Sequence, residues 1–159
     1  MNDSIIIPIL IQQLEESFRT KAWHGPNLRG SIRGLSLDEI CMRPSRNRHN
    51  IWEIIVHCAY WKYAVRRRLT GEKKGSFPLS GSNFFKRPVV RTAAAWNEDV
   101  HLLEEMHRLL MNAVKEQSDH DLKKYPNGST FSNLQTIRGI AMHDVYHTGQ
   151  IQLLKKLQQ

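Results

Sequence analysis

Four segments of this chain repeat apolar residues every three to four positions, and no segment alternates them convincingly. A period near 3.6 marks one face of a helix, and a period of two marks one face of a strand. The chain is therefore expected to be all-α. The first segment starts near Ser4 to Pro8 and reaches about Thr20, with Ile7, Leu10, Ile11, Leu14 and Phe18 as its stripe. Ser4 is placed to cap it, and proline is tolerated in a first turn. The second opens at Asn50, which with Glu53 three residues later makes a start like a capping box. Ile51, Ile54, Ile55, Cys58, Trp61 and Val65 line one face of it, and Gly71 supplies a stop. The third spans about Thr92 to Gln117, with Ala95, Val100, Leu102, Leu103, Met106, Leu109, Leu110 and Val114 as apolar positions. The fourth begins near Ser132, with Gln135 at capping-box spacing, and runs almost to the last residue. Ser36 and Glu39 give the same signature for a short turn over Ser36 to Cys41.

In the fourth segment Leu134, Ile137, Ile140, Ala141, Val145, Ile151 and Leu154 would be buried, and Met142, Tyr146, Leu153 and Leu157 extend the apolar surface well past one stripe. A helix apolar this far round packs on more than one side, so it is central or part of a subunit interface. A homodimer is expected on that ground. The connection from Gly71 to Arg91 is rich in Gly, Ser and Pro and holds Phe77, Phe84 and Phe85. A helix of about 20 residues is roughly 30 Å long, and twenty-odd residues at about 3.3 Å each can span it. The second and third helices can then run parallel, joined by a crossover. The Thr20–His49 connection is also long, so which loop crosses stays open. The expected architecture is a four-helix bundle in one domain, residues 1–159.

A length of 159 residues suits a single domain with its own core. The two cysteines, Cys41 and Cys58, form no CxxC pair and fit a reducing compartment. Met1-Asn2-Asp3 places an acid where a secretory signal has bases, and no run approaches the roughly 20 apolar residues of a membrane span. A soluble, cytoplasmic protein with no membrane partner is expected. The formal net charge is +8, and it is unevenly placed. From Cys41 to Arg91 there are 12 Lys and Arg against Glu53 and Glu72, a net of +10, and the remainder is slightly acidic. Nucleic acid is not the expected partner, because Arg66, Arg67 and Arg68 fan out by about 100° each and no recognition motif is visible.

His143-Asp144-Val145-Tyr146-His147 carries the sharpest chemical signal. Histidines four apart on a helix lie one turn above the other, near enough to hold one metal, although unrelated histidines also fall at this spacing. A zincin needs HExxH, whereas Asp144 stands in the second position and no ligand type follows His147. A di-iron bundle needs two Glu-x-x-His motifs, and neither His143 nor His147 has Glu three residues before it, Ile140 and Asp144 standing there. A third ligand must come from another helix, and His57, on the flank of the second helix's apolar stripe, is the best placed. His101 and His107 sit among Glu98, Glu104 and Glu105 and read as surface residues; His24, His49 and His120 fall in connections or at a helix start.

At this point the chain resembles a family. Asn50 to Trp61 (NIWEIIVHCAYW) and Gly139 to Ile151 (GIAMHDVYHTGQI) resemble the second-helix and last-helix motifs of the DinB-like superfamily, in the right order and with 86 residues between His57 and His143. The Arg43-Pro44 turn and the long crossover fit as well, so the resemblance covers nearly the whole chain. It implies a four-helix bundle with up-down-down-up topology, the long crossover joining helices two and three. It also implies a divalent metal, zinc or nickel first, on His57, His143 and His147. Relatives of known activity include bacillithiol or mycothiol S-transferases and a mycothiol-dependent maleylpyruvate isomerase, and many members have no established activity.

Three neutral imidazoles leave at least one metal position for water or a thiolate, whereas structural zinc is usually closed by four protein ligands. The leading expectation is a metal-dependent thiol S-transferase with a low-molecular-weight thiol as cosubstrate and a small-molecule substrate. The alternatives are a non-catalytic metal-binding or dimeric interaction module linked to stress or damage response. Cys58 should face the core as a buried thiol. Asp144 and Glu53 are candidate carboxylate partners for the histidines, or else an ordinary surface acid and a helix cap. If the basic segment rims the pocket, with Arg46 and Arg48 in it, its field favours an anionic thiol.

Overall fold

The computed structural model of the chain describes residues 5–159, and the cap expected at Ser4 lies outside them. Its helices are α1 (Ile6–Phe18), α2 (Leu28–Ser31), α3 (Leu37–Cys41), α4 (Ile51–Thr70), α5 (Ala93–Lys115), α6 (Asp119–Leu122) and α7 (Asn133–Lys156). The described residues contain no strand, only one isolated bridge between Ala22 and Gly25. No helix among them is long and apolar enough to cross a membrane.

The expected start signals are used. Asn50 accepts from the backbone N–H of Glu53 and caps α4, and Gly71 ends that helix at φ 73°, where a side chain would be strained. Complete capping boxes open α3 at Ser36 with Glu39 and α7 at Ser132 with Gln135. Asn50 and Glu53 form only half a box, because the Glu53 carboxylate is drawn off elsewhere. It accepts from the Arg43 guanidinium at 2.5 and 2.8 Å and from the backbone N–H of Arg87 at 3.2 Å, and it pairs with His49 Nδ1 at 2.9 Å. Glu53 is thus a buried hub tying the turn before α4 to the crossover. The one-turn helices α2 and α6, capped by Asn27 and Ser118, are too short to carry a periodic signal.

Packing places the start of α4 beside the start of α5. Trp52 Nε1 donates to Asp99 Oδ2 at 2.6 Å, and its ring meets Trp96 edge-on at 5.3 Å. Ile51 and Ile54 share a core cluster with Ile151 and Leu154 near the end of α7. At the other end Val65 joins Leu110 and Val114 of α5 and Ile137 and Ile140 of α7. Ile7, Leu10 and Leu14 of α1 complete that second cluster.

Two expectations about burial are corrected. Val145 is exposed, not core, because it falls off the Ile137–Ile140–Ala141 face that packs on α1 and α4. His107 is buried, not a surface residue: it stands four residues after Leu103 and three before Leu110, within the buried stripe of α5. Met142, Tyr146, Leu153 and Leu157 are exposed, so the apolar excess of α7 is not consumed by packing within the chain.

Candidate metal centre

Periodicity puts His57 on α4 and His143 and His147 one turn apart on α7, and the contact between these helices brings all three together. His143 Nε2 lies 3.0 Å from His57 Nε2 and 3.1 Å from His147 Nε2. His57 and His147 are buried and His143 is half-buried. The outer nitrogens of two rings are engaged. His57 Nδ1 is 3.0 Å from the Asn83 carbonyl oxygen, and His147 Nδ1 is 2.7 Å from Gln150 Oε1. Both partners are acceptors, so each Nδ1 carries the proton and each Nε2 points its lone pair at the common centre. That is the tautomer a metal requires.

Burial keeps the rings neutral. It pushes His57 down to about 4, against the Asn83 carbonyl, which pulls it up, and with the neighbouring His147 and His49 adding to the fall. Burial, His147, His57 and Lys62 push His143 down to about 3. Burial also lowers His147, with Gln150 opposing. The group could hold a divalent metal through three neutral nitrogens.

The crossover finishes the site. Asn83 adopts φ 67°, a left-handed conformation that asparagine tolerates. Its side-chain oxygen accepts from Trp61 Nε1 at 2.9 Å while its carbonyl takes His57. Phe84 stacks on His57 at 3.9 Å and on His49 at 3.7 Å. Asn83 left no signal in the sequence, since its role depends on how a loop folds back. Gln150 was legible, standing three residues after His147 on the same helix face.

Neither carboxylate expected beside the histidines bonds to one. Glu53 is the hub described above, where the hydrogen bonds of Arg43, His49 and Arg87 outweigh burial and hold its carboxyl below the ordinary range. Asp144 is no surface acid: it is fully buried and paired with the equally buried Lys62 of α4. Cys58 is buried as expected, and burial holds its thiol well above its ordinary value. A cleft of about 730 Å³ opens beside His57 and His147. Arg48 and His49 lie on its wall, with Ile54, Phe84, Leu153, Leu154 and Leu157 making it largely apolar.

A family model described as the DinB superfamily matches residues 22–151, which hold all three histidines. The chain belongs to the DinB superfamily. No curated protein matches it. In this DinB-superfamily chain much of the basic excess is spent within the fold. Arg43, Lys62, Arg66, Arg87 and Arg91 pair with Glu53, Asp144, Glu72, Asp99 and Asp38. Arg48 reaches the cleft, while Arg46 lines the adjoining groove with Lys86.

Proposed function

We propose that the chain is a divalent-metal-dependent enzyme that transfers a small anionic thiol, of the bacillithiol kind, to an electrophilic carbon. The observation that carries this reading is three neutral imidazoles, Nε2 inward, two of them, His57 and His147, on the wall of an open cleft beside Arg48. His57, His143 and His147 would hold the metal, zinc or nickel, in a bundle read as up-down-down-up with Gly71 to Arg91 as its crossover. A divalent metal lowers the pKa of a thiol that reaches its open position. The chain supplies the remaining work. Arg48 offers positive charge to an anionic thiol, and Ile54, Leu153, Leu154 and Leu157 offer an apolar wall to the electrophile. Asn83 and Gln150 hold two rings in the binding tautomer. In the transfer the thiol gives its proton to solvent and a sulfur–carbon bond forms. The carbon–leaving-group bond breaks, and a halide departs with the electron pair.

Metal analysis and a thiol panel test the two halves separately. The purified chain should carry about one metal, as three ligands on one centre imply, and His147→Ala should lose it. Bacillithiol should then be conjugated to an aryl halide at a rate that falls on chelation. Full metal occupancy in His147→Ala overturns the site, and no metal-dependent turnover with any thiol overturns the enzyme.

One observation favours a second reading, a dimeric interaction module. The single chain leaves Met142, Val145, Tyr146 and Leu153 of α7 exposed, with Leu157 at its C-cap. Sedimentation as a dimer at micromolar concentration, lost in Met142→Glu/Val145→Glu, would support it; a monomer would reject it.

A further inference from the structure

Lys62 and Asp144 form an ion pair with no solvent exposure on either side chain. Such a pair is poor evidence of stability, because desolvating two charges costs about what their attraction returns, and an apolar pair of similar volume often does as well. The pair lies directly behind the histidine centre. Asp144 follows His143 in α7, and Lys62 follows Cys58 by one turn in α4.

Two buried atoms in this place have no partner: Asp144 Oδ1 and His143 Nδ1. They are complementary. A carboxylate oxygen accepts, and the outer nitrogen of a ring whose Nε2 faces a metal donates. The other two rings already have acceptors, the Asn83 carbonyl and Gln150 Oε1; His143 alone lacks one. A ring nitrogen of His143, a carboxylate oxygen of Asp144 and the Cys58 sulfur lie within 4.8 Å of one another. Asp144 Oδ1 and His143 Nδ1 make no direct hydrogen bond to each other, so a single water between these groups would have three polar partners.

We propose that Asp144, clamped by Lys62, is the positioning residue of His143: one buried water accepts from the His143 Nδ1–H and donates to Asp144 Oδ1. Lys62 takes Oδ2 and leaves Oδ1 available to that water. The ion pair thereby fixes the tautomer and direction of the third imidazole, as the crossover carbonyl and Gln150 do for the others. This rests on the reading of the three histidines as a metal centre.

The experiment compares the wild-type chain with two double variants that strand no buried charge. Lys62→Met/Asp144→Leu removes the acceptor, and Lys62→Met/Asp144→Asn keeps an Oδ1. Zinc affinity is read by competition with a chromophoric chelator, and the His143 tautomer by nitrogen-15 NMR of metal-free protein. The Leu variant should bind zinc roughly 10–100-fold more weakly, the range for loss of such a partner. The Asn variant should recover most of that loss. Wild-type His143 should carry its proton on Nδ1, and the Leu variant should show a mixture. Equal zinc affinity in the Leu variant and wild type overturns the proposal, and so does a wild-type proton on Nε2, even if the variants fail to fold. If wild-type protein binds no zinc, the metal-centre reading falls, and the tautomer still decides what Asp144 does.

Discussion

At the scale of single residues, His107 has the least ordinary environment outside the centre. Its ring stacks on Phe18 at 3.8 Å, Glu15 stands 3.5 Å from Nε2, and both ring nitrogens are buried without a hydrogen bond. Burial, with the Lys62 and Arg19 charges adding to it, pushes its pKa from 6.5 to about 2. Between those values the unfolded chain takes up a proton that the folded chain refuses. His107 therefore costs nothing above pH 6.5, and stability is lost as the pH falls through the window. Each such group contributes about 1.4 kcal/mol per pH unit. His107→Phe keeps the stacked ring and removes the titration. In metal-free protein its urea stability should fall less steeply than wild type between about pH 5.5 and 4.5, by up to about 1.4 kcal/mol per unit. Parallel curves would contradict this account. The sequence reading of His107 as a surface residue rested on the neighbouring Glu104 and Glu105. Packing of α5 against α1 and α4 overrides it, because His107 shares the buried face of Leu103 and Leu110.

At the scale of elements, α4 is held at its start by more than a cap. Asn50 Oδ1 accepts from the Glu53 N–H at 2.8 Å while Asn50 Nδ2 donates to the Arg87 carbonyl at 2.9 Å. One residue thus ends a loop, starts a helix and anchors the crossover. Thr92, the cap of α5, is exposed, and its side chain makes only the bond to Ala95 N. Thr92→Ala should cost about 1 kcal/mol, a typical cap. Asn50→Ala should cost about 2 kcal/mol, since it also leaves the Arg87 carbonyl with only the longer bond from Arg43 Nη2 at 3.4 Å. Denaturant titration of both checks the order, and equal losses would mean that the crossover anchor contributes nothing. The caps themselves were legible from Asn50, Ser36 and Ser132. The anchor was not, because Arg87 lies 37 residues from Asn50 and no local pattern joins them.

At the scale of the molecule, a metal that binds only the folded chain must stabilise it. At a hundredfold excess over its dissociation constant the gain is about 2.7 kcal/mol, or roughly 5–10 °C in Tm for a chain of this size. Zinc should raise the wild-type Tm by that amount, chelator should reverse it, and His57→Ala should show no shift. An unchanged wild-type Tm would exclude tight binding. The positive field also acts at this scale. Because Arg48 lies on the cleft wall and Arg46 in the groove beside it, Arg48→Gln should raise KM for an anionic thiol severalfold with kcat nearly unchanged, and Arg46→Gln should do less. Equal KM values for wild type and Arg48→Gln would remove the field from the account.

The sequence by itself determined the four long helices, the caps at Asn50, Ser36 and Ser132 and the pair of histidines one turn apart, because periodicity and capping are local and need only a few neighbouring residues. The motifs around His57 and His143 also carried the family and named the third histidine. Only the tertiary structure decided what surrounds those rings. Asn83 and Phe84 reach His57 from a loop, Lys62 meets Asp144 across 82 positions, and Glu53 gathers Arg43, His49 and Arg87. Buried polar groups must find partners wherever the folded chain supplies them, and that requirement leaves no periodic trace in the sequence.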